Sequence, residues 1–359
     1  MPEKIGIVTF HNAFNFGAAL QAYALQQFLD SCGIENEIVD YQCDYIEKHY
    51  KKLIKIVKGS ELKSFVGSLL SYRNNKKGIE LSDSFRKRFL RTGRAVTREE
   101  TAALSGEYSS FIAGSDQVWS PTCVGFDKTY FLDFARHEQK HSYAASFGCR
   151  SLPEDMTDEY RRLLGDFPVC SVREESGAQI CASLGKDTRV DVDPTMLLDA
   201  SDWDRVASEP VIRAPYIFVF DILKPATMIS YAAELGQQKG IPVYHLNRKH
   251  LPVKGIRYVQ PVSADGFVSL IKNAEYVITN SFHGCALSLI YHKQVVVELK
   301  NDKGSNSRIA ELLGRLGMEA RELDNGTVDP DSPIDWQRVD SYFDKGRESA
   351  RQYLMTLKD

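Results

Sequence analysis

The sequence predicts an α/β protein of two doubly wound halves facing each other across a cleft. Three observations predict it. Short β-forming apolar runs alternate with runs of helical period, the pattern of parallel sheets flanked by helices. The alternation occurs twice, once up to about Val192 and again from Tyr216. The stretch Val277–Ile290 (VITNSFHGCALSLI) reads as a strand end, a sharp polar turn and the first turns of an apolar helix. In an open α/β sheet such a turn lies at the carboxyl end of a strand, where ligands bind.

Composition sets the outer limits. The chain has 359 residues, 43% hydrophobic and 26% charged, enough for two domains with sizeable cores. Its net charge of −3 gives no electrostatic footprint for nucleic acid. Seven cysteines (Cys32, Cys43, Cys123, Cys149, Cys170, Cys181, Cys285) are scattered without a CxxC pair, which speaks against zinc and disulfide frameworks. The opening MPEKIGIVTF does not read as a signal peptide. No run approaches the roughly 18 apolar residues of a membrane span. A soluble protein of the reducing cytoplasm is expected.

The first half begins with Lys4–Phe10 as a buried parallel strand, followed by the loop His11-Asn12-Ala13-Phe14-Asn15-Phe16-Gly17. Apolar residues from Leu20 to Leu29 recur at helical spacing, Gly33 ends that helix, and Glu37–Tyr41 is the second strand. The unit lacks GxGxxG and GK[ST], so it is neither a dinucleotide fingerprint nor a P-loop. Its loop, with His11, Asn12, Asn15 and Gly17, either shapes a turn or forms part of a site. Residues 50–79 are a basic amphipathic insertion with eight Lys and Arg against Glu61 alone. That segment either meets an anionic membrane surface or packs as an ordinary solvated helix pair. A short strand or helix is expected near Arg94–Thr97.

Phe111–Gly114 is a strand end, and the turn after it presents Ser115, Asp116 and Gln117 at the sheet edge. Asp116 can orient a ligand hydroxyl, act as a base, or cap a short helix. Lys140–Phe147 reads as a further strand and Asp158–Leu164 as a helix. Cys170–Ser176 delivers Arg173 at a strand end. An arginine there suits bidentate capture of carboxylate or phosphate; a salt bridge to Glu174 or Glu175 is the competing reading. Arg189–Val192 is a short strand closed by Asp193-Pro194-Thr195, and the domain boundary falls in 199–214.

In the second half Tyr216–Phe220, Val243–Leu246, Tyr276–Thr279 and Gln294–Leu299 read as strands. Thr227–Gln238, Ala264–Asn273 and Asn306–Leu316 read as helices. Asn280 or Ser281 can cap the helix after Thr279, and Gly284 allows close helix–sheet packing. His283 then sits at a helix N-terminus, which is an anion site with a proton donor built in, or is only a surface residue of a capped helix. Residues 336–357 form a polar helix that packs back across the first half. The expected division is 1–205, 206–335 and 336–359.

Seven motifs occur in order: FHNAFNFGAALQAYAL, AGSDQVW, YAASFG, SVREESG, VDPTMLL, TNSFHGCALSLI and NSRIAELL. Together, over roughly residues 4–320, they resemble the polysaccharide pyruvyl transferase family. The resemblance implies two Rossmann-like domains similar to GT-B glycosyltransferases. It implies transfer of pyruvate, as a ketal, from phosphoenolpyruvate to a surface glycan or its polyprenyl-linked precursor, with no metal and no separate cofactor. It implies that His283 and Arg173 serve the site, with a basic residue after the following strand: Lys300, Lys303 or Arg308. The expected donor set is Arg173, Asn280, Ser281, His283, Gly284 and that basic residue. The expected acceptor set is His11, Asn12, Asn15, Gly17, Ser115, Asp116 and Gln117. Catalysis is assigned to His283, Arg173 and Asp116, with Asp116 or His11 accepting the hydroxyl proton. The basic insertion would dock a lipid-linked acceptor at the inner membrane. The rival readings are a nucleotide-sugar glycosyltransferase and a non-catalytic glycan-binding relative.

Overall fold

Strand β1 (Ile5–Val8) is buried at every position, as a central parallel strand covered on both faces must be. The structure is a computed structural model describing residues 3–46, 72–123, 125–225, 227–247, 253–299, 307–323 and 328–357. After β1 come α1 (Phe16–Ser31), β2 (Asn36–Tyr41), α2 (Tyr72–Phe89), β3 (Thr92–Val96), β4 (Ser110–Ala113) and β5 (Lys140–Ser142). The strands form a parallel sheet in the order β3-β2-β1-β4-β5. Then follow α3 (Thr157–Gly165), β6 (Cys170–Val172), α4 (Glu175–Ser183) and β7 (Thr188–Val190). The parallel β6–β7 pair continues the sheet through Ala145, whose N–H donates to Ser171 O and whose carbonyl accepts from Arg173 N–H, both at 3.1 Å.

Residues 191–215 carry a short helix, α5 (Ala200–Asp204), started by the reciprocal Asp199–Asp202 cap. Its Trp203 is fully buried, and the indole N–H donates to Thr195 O at 3.1 Å. The second half comprises β8 (Ile217–Phe220), α6 (Met228–Lys239), β9 (Val243–Leu246), β10 (Ile256–Tyr258), α7 (Ala264–Lys272), β11 (Tyr276–Thr279), α8 (Phe282–Ile290) and β12 (Gln294–Val297). Its sheet is parallel in the order β10-β9-β8-β11-β12, which repeats the order of the first five strands. Each half therefore reverses strand order beside its first strand, at β1/β4 and at β8/β11. Ligands bind at such switch points, outside the carboxyl ends of the strands.

Helix α8 is buried at every residue, the mark of a core helix. The largest apolar cluster runs through both halves without a break. It takes Ile5, Leu20 and Phe28 from the first half and Phe218, Phe267 and Leu287 from the second. Phe16, at the start of α1, stacks on Phe267 with ring centroids 4.7 Å apart and lies 5.8 Å from Phe220. Helices α9 (Ser307–Leu316) and α10 (Trp336–Met355) complete the fold. From α10, the Tyr353 hydroxyl donates to Ser142 O at 3.1 Å. Trp336 of the same helix stacks on His292 of the second half at 4.5 Å. Among the described residues no helix is long and apolar enough to cross a membrane.

Three local expectations change. The strand read as Lys140–Phe147 stops at Ser142, because Ala144 takes a left-handed φ of 49° and turns the chain, leaving Ala145 only isolated bridges to Asp116 and Val172. The edge strand β10 was not read; it has three residues with one buried, too short for a period to show. Of the basic insertion, 50–71 lies outside the described residues, and 72–79 opens α2, where the buried Gly78 meets the Phe14 ring.

Phe16→Ala should lower the unfolding free energy by roughly 2–3 kcal/mol, somewhat below the loss for a fully buried phenylalanine. Denaturant titration reads this; an unchanged midpoint would mean that the two halves are not joined through this stack.

Candidate active site

Two strand ends deliver the central side chains. Arg173 leaves the carboxyl end of β6, fixed by its backbone bond to Ala145. His283 stands in the first turn of α8, where Ser281 caps the helix by accepting from Gly284 N–H at 3.3 Å. The remaining turn residues are spent on the fold. Asn280 accepts from the N–H groups of Ile222 and Leu223 at 2.8 and 3.3 Å and donates to Leu223 O at 3.0 Å. A Cβ on Gly284 would come within 2.9 Å of the Thr279 hydroxyl, so the glycine serves close packing. Asn280, Ser281 and Gly284, expected at the donor side, build the turn that holds His283.

Between Arg173 and His283 lies Asp193, whose side chain is fully buried. Oδ1 accepts from the Thr195 N–H at 2.9 Å and the Thr195 hydroxyl at 2.7 Å. Oδ2 accepts from Arg173 Nη1 at 2.5 Å and from the Ser115 hydroxyl at 3.3 Å, and faces His283 Nε2 at 3.6 Å. Burial pushes this carboxyl up, but His283 and Arg173 outweigh it and hold Asp193 well below the usual carboxylate range. Arg173 is likewise buried. Burial disfavours its charge, yet Asp193, Asp116 and Glu174 more than restore it.

The other edge of the Arg173 guanidinium, Nε and Nη2, has no hydrogen-bond partner. Glu174 Oε2 lies 3.6 Å from Nε and Asp116 Oδ1 lies 3.7 Å from Nη2, beyond hydrogen-bonding distance. Buried donors without partners are uncommon and costly. Arg308, from α9, brings a second guanidinium within 3.9 Å of Asp116 Oδ1. Burial and the neighbouring Arg173 both lower its proton affinity. Arg173 and Arg308 lie 5.1 and 5.7 Å from the centre of the Phe282 ring, close enough for cation–π attraction. A narrow recess of about 20 Å³ opens here, lined by Arg173, Glu174, Asp193, Phe282, Arg308 and Tyr342. Such a site can hold two oxygens of an anion on the Arg173 edge and pass a proton through His283.

The sequence-expected residues divide into two groups. Asp116, at a left-handed φ of 64° after β4, joins Arg173, His283 and Arg308. Ser115 sits behind them, donating to Ala144 O and to Asp193. Gln117 accepts from the Cys123 thiol at 3.0 Å and lies against Gly148. Asn15 caps α1 by accepting from Gly17 N–H at 2.8 Å. His11 as a proton acceptor is corrected: its Nε2 lies 2.9 Å from Asp40 Oδ1 and its Nδ1 3.2 Å from Thr9 O, so both ring nitrogens are engaged. Asn12 donates to the same Asp40 oxygen at 3.0 Å, and the pair anchors the loop to β2. Gly17 abuts the His283 imidazole, which any Cβ there would strike. Lys300 and Lys303 lie outside the described residues, while Arg308 reaches the site.

Asp193, Glu174 and Phe282 are the residues that sequence reading missed. An aspartate directly after a short strand and before proline was the available signal, by the logic that singled out Arg173. Glu174 was visible only as a partner for Arg173; in the fold its Oε1 accepts from the Ser146 hydroxyl at 2.7 Å while Oε2 has no partner. Among the described residues no group of three or more side chains could hold a metal ion.

Gly17→Ala should displace the imidazole with little effect on melting temperature, because a side-chain ring and not backbone is in the way. A displacement near 1 Å costs on the order of 10²-fold in rate. Steady-state turnover beside a melting curve checks it; wild-type turnover in the variant would show that the ring position is not critical.

Solved structures share the fold at low identity. The UDP-GlcNAc 2-epimerase of Methanocaldococcus jannaschii aligns with TM-score 0.50 and 12% identity over 98% of this chain and 99% of that one. The S. aureus MnaA–UDP co-structure aligns with TM-score 0.52 and 11% identity over 100% and 91%. A protein described as a UDP-N-acetylglucosamine 2-epimerase from Listeria monocytogenes gives 0.51 and 10% over 99% and 91%. These likenesses show a fold of the GT-B kind, two Rossmann-like halves. No curated protein matches the chain significantly. The family model for polysaccharide pyruvyl transferases matches residues 15–297, most of the chain, and the protein belongs to that family.

Proposed function

We propose that the protein transfers pyruvate from phosphoenolpyruvate to two hydroxyls of one sugar, in a glycan or its polyprenyl-linked precursor, forming a ketal and releasing phosphate. The observation that carries the reading is the Nε–Nη2 edge of Arg173, which has no hydrogen-bond partner, on a guanidinium that Asp193 links to His283. Two parallel N–H groups fit two oxygens of a carboxylate or phosphate. Arg308 takes the second anionic group, with the N–H groups at the α8 terminus adding positive potential. His283 donates a proton to the methylene carbon, so that the adjacent carbon becomes oxocarbenium-like. One sugar hydroxyl adds there, phosphate departs, and the second hydroxyl closes the ketal. Of the two hydroxyl protons, Asp116 accepts one and passes it to the departing phosphate, which leaves as HPO₄²⁻, and the other returns His283 to its starting state. No metal or further cofactor enters this scheme.

A nucleotide-sugar donor fits less well. Its diphosphate would be drawn to the first helix N-terminus of the second half. At α6 those N–H groups already bond to Glu298, whose Oε1 accepts from Thr227 N–H at 2.6 Å and Met228 N–H at 2.7 Å.

The test is phosphate release from phosphoenolpyruvate with a panel of lipid-linked and nitrophenyl glycosides. Release should depend on acceptor and fall by about 10²–10⁴-fold in His283→Ala, the usual contribution of a general acid. Release without acceptor dependence, or an undiminished rate in the variant, would sink the reading. The basic segment 50–79 is part of the same proposal, as the surface that meets the leaflet carrying a lipid-linked acceptor. Co-sedimentation with liposomes should rise with anionic lipid and fall with salt; binding indifferent to lipid charge would remove it.

A further inference from the structure

Asp193 has its two oxygens committed in different ways. Oδ1 is pinned to Thr195 by two hydrogen bonds within its own turn, so the carboxylate cannot rotate. Oδ2 faces three groups from three separate elements: Arg173 at the end of β6, Ser115 in the turn after β4, and His283 at the start of α8. Asp193 and Arg173 belong to the first half of the chain and His283 to the second. One buried carboxylate oxygen is thus the point at which the two halves align Arg173 and His283.

The contact with Arg173 also decides which edge of the guanidinium is left over. Asp193 takes Nη1. The remaining Nε and Nη2 lie side by side on one edge, are buried, and have no hydrogen-bond partner, with Glu174 and Asp116 at 3.6 and 3.7 Å. Had the carboxylate bonded that edge, the side-on fork would be taken. We propose that Asp193 is the positioning residue of this site: it turns the Arg173 fork toward the recess and holds the His283 imidazole at a set distance from it. The proposal rests on the pyruvyl-transfer reading only for the identity of the anion that the fork receives. Asp193 touches no reacting atom and acts through its two neighbours.

Asp193→Asn keeps shape and volume and lets the amide oxygen still accept from Thr195. It turns an NH₂ group toward Arg173 and His283, donor against donor. Two readouts are taken on the full chain. The first, without any ligand, is the set of ¹⁵N resonances of the His283 ring and of Arg173 Nε. Both should move in Asp193→Asn, and less so in Thr195→Val, which removes only one pin. The second is phosphate release from phosphoenolpyruvate, where the KM for phosphoenolpyruvate should rise through Arg173 and kcat should fall through His283. The combined loss in kcat/KM should be on the order of 10²-fold or more, as for removal of one preorganised polar group. A folded Asp193→Asn protein with unmoved resonances, or with wild-type KM and kcat, overturns the proposal. Should that variant not fold, unmoved resonances in Thr195→Val overturn it instead. Resonances that move while wild-type protein releases no phosphate would uphold the positioning role and remove the donor reading.

Discussion

The site depends on one buried carboxylate. Asp193 lies between Arg173 and His283 in a low-dielectric interior, and its charge offsets that of the buried guanidinium. The cost of burying Asp193 is offset because each of its oxygens is occupied, one by its own turn and the other by Arg173 and Ser115. Breaking such a pair would leave an uncompensated charge inside the protein, a loss of about 3–5 kcal/mol in comparable cases. The same carboxylate leaves the Nε–Nη2 edge of Arg173 without a hydrogen bond, flanked by Glu174 and Asp116, so the stability of the fold and the availability of the fork have a single origin.

That arrangement is possible only because the two halves are held in register. Both sheets reverse strand order beside their first strand, so the loops after β1 and β4 and those after β8 and β11 gather at corresponding edges. The continuous apolar core and the Phe16–Phe267 stack set the separation of the halves. Helix α1 then brings Gly17 against His283, where the absence of a side chain is what admits the ring. The glycine is needed here for space and not for backbone freedom.

Much of the fold was legible because its signals are local. The alternation of β-forming and helical runs needs only neighbouring residues, as do the caps at Asn15 and Ser281. Arg173 and His283 could be singled out because each stands at the end of a strand-like run, where α/β sheets bind ligands. His11 and Asn12 look the same by that rule, yet Asp40 from β2 engages both. A strand-end residue can therefore face the ligand or the scaffold, and only its spatial neighbours decide which.

The sequence by itself determined the class of fold, the order of its elements, the polar turns at strand ends and the family to which the chain belongs. Those properties follow from periodicity, capping and ordered motifs, all carried by contiguous residues. The tertiary structure alone decided that Asp193 joins Arg173 to His283, that Arg308 reaches the same recess, and that Gly17 lies against the imidazole. These pairings come from strand order and from the packing of one half on the other, which bring together residues far apart in the chain. No local pattern encodes such a distance, so no reading of spacing could have found them.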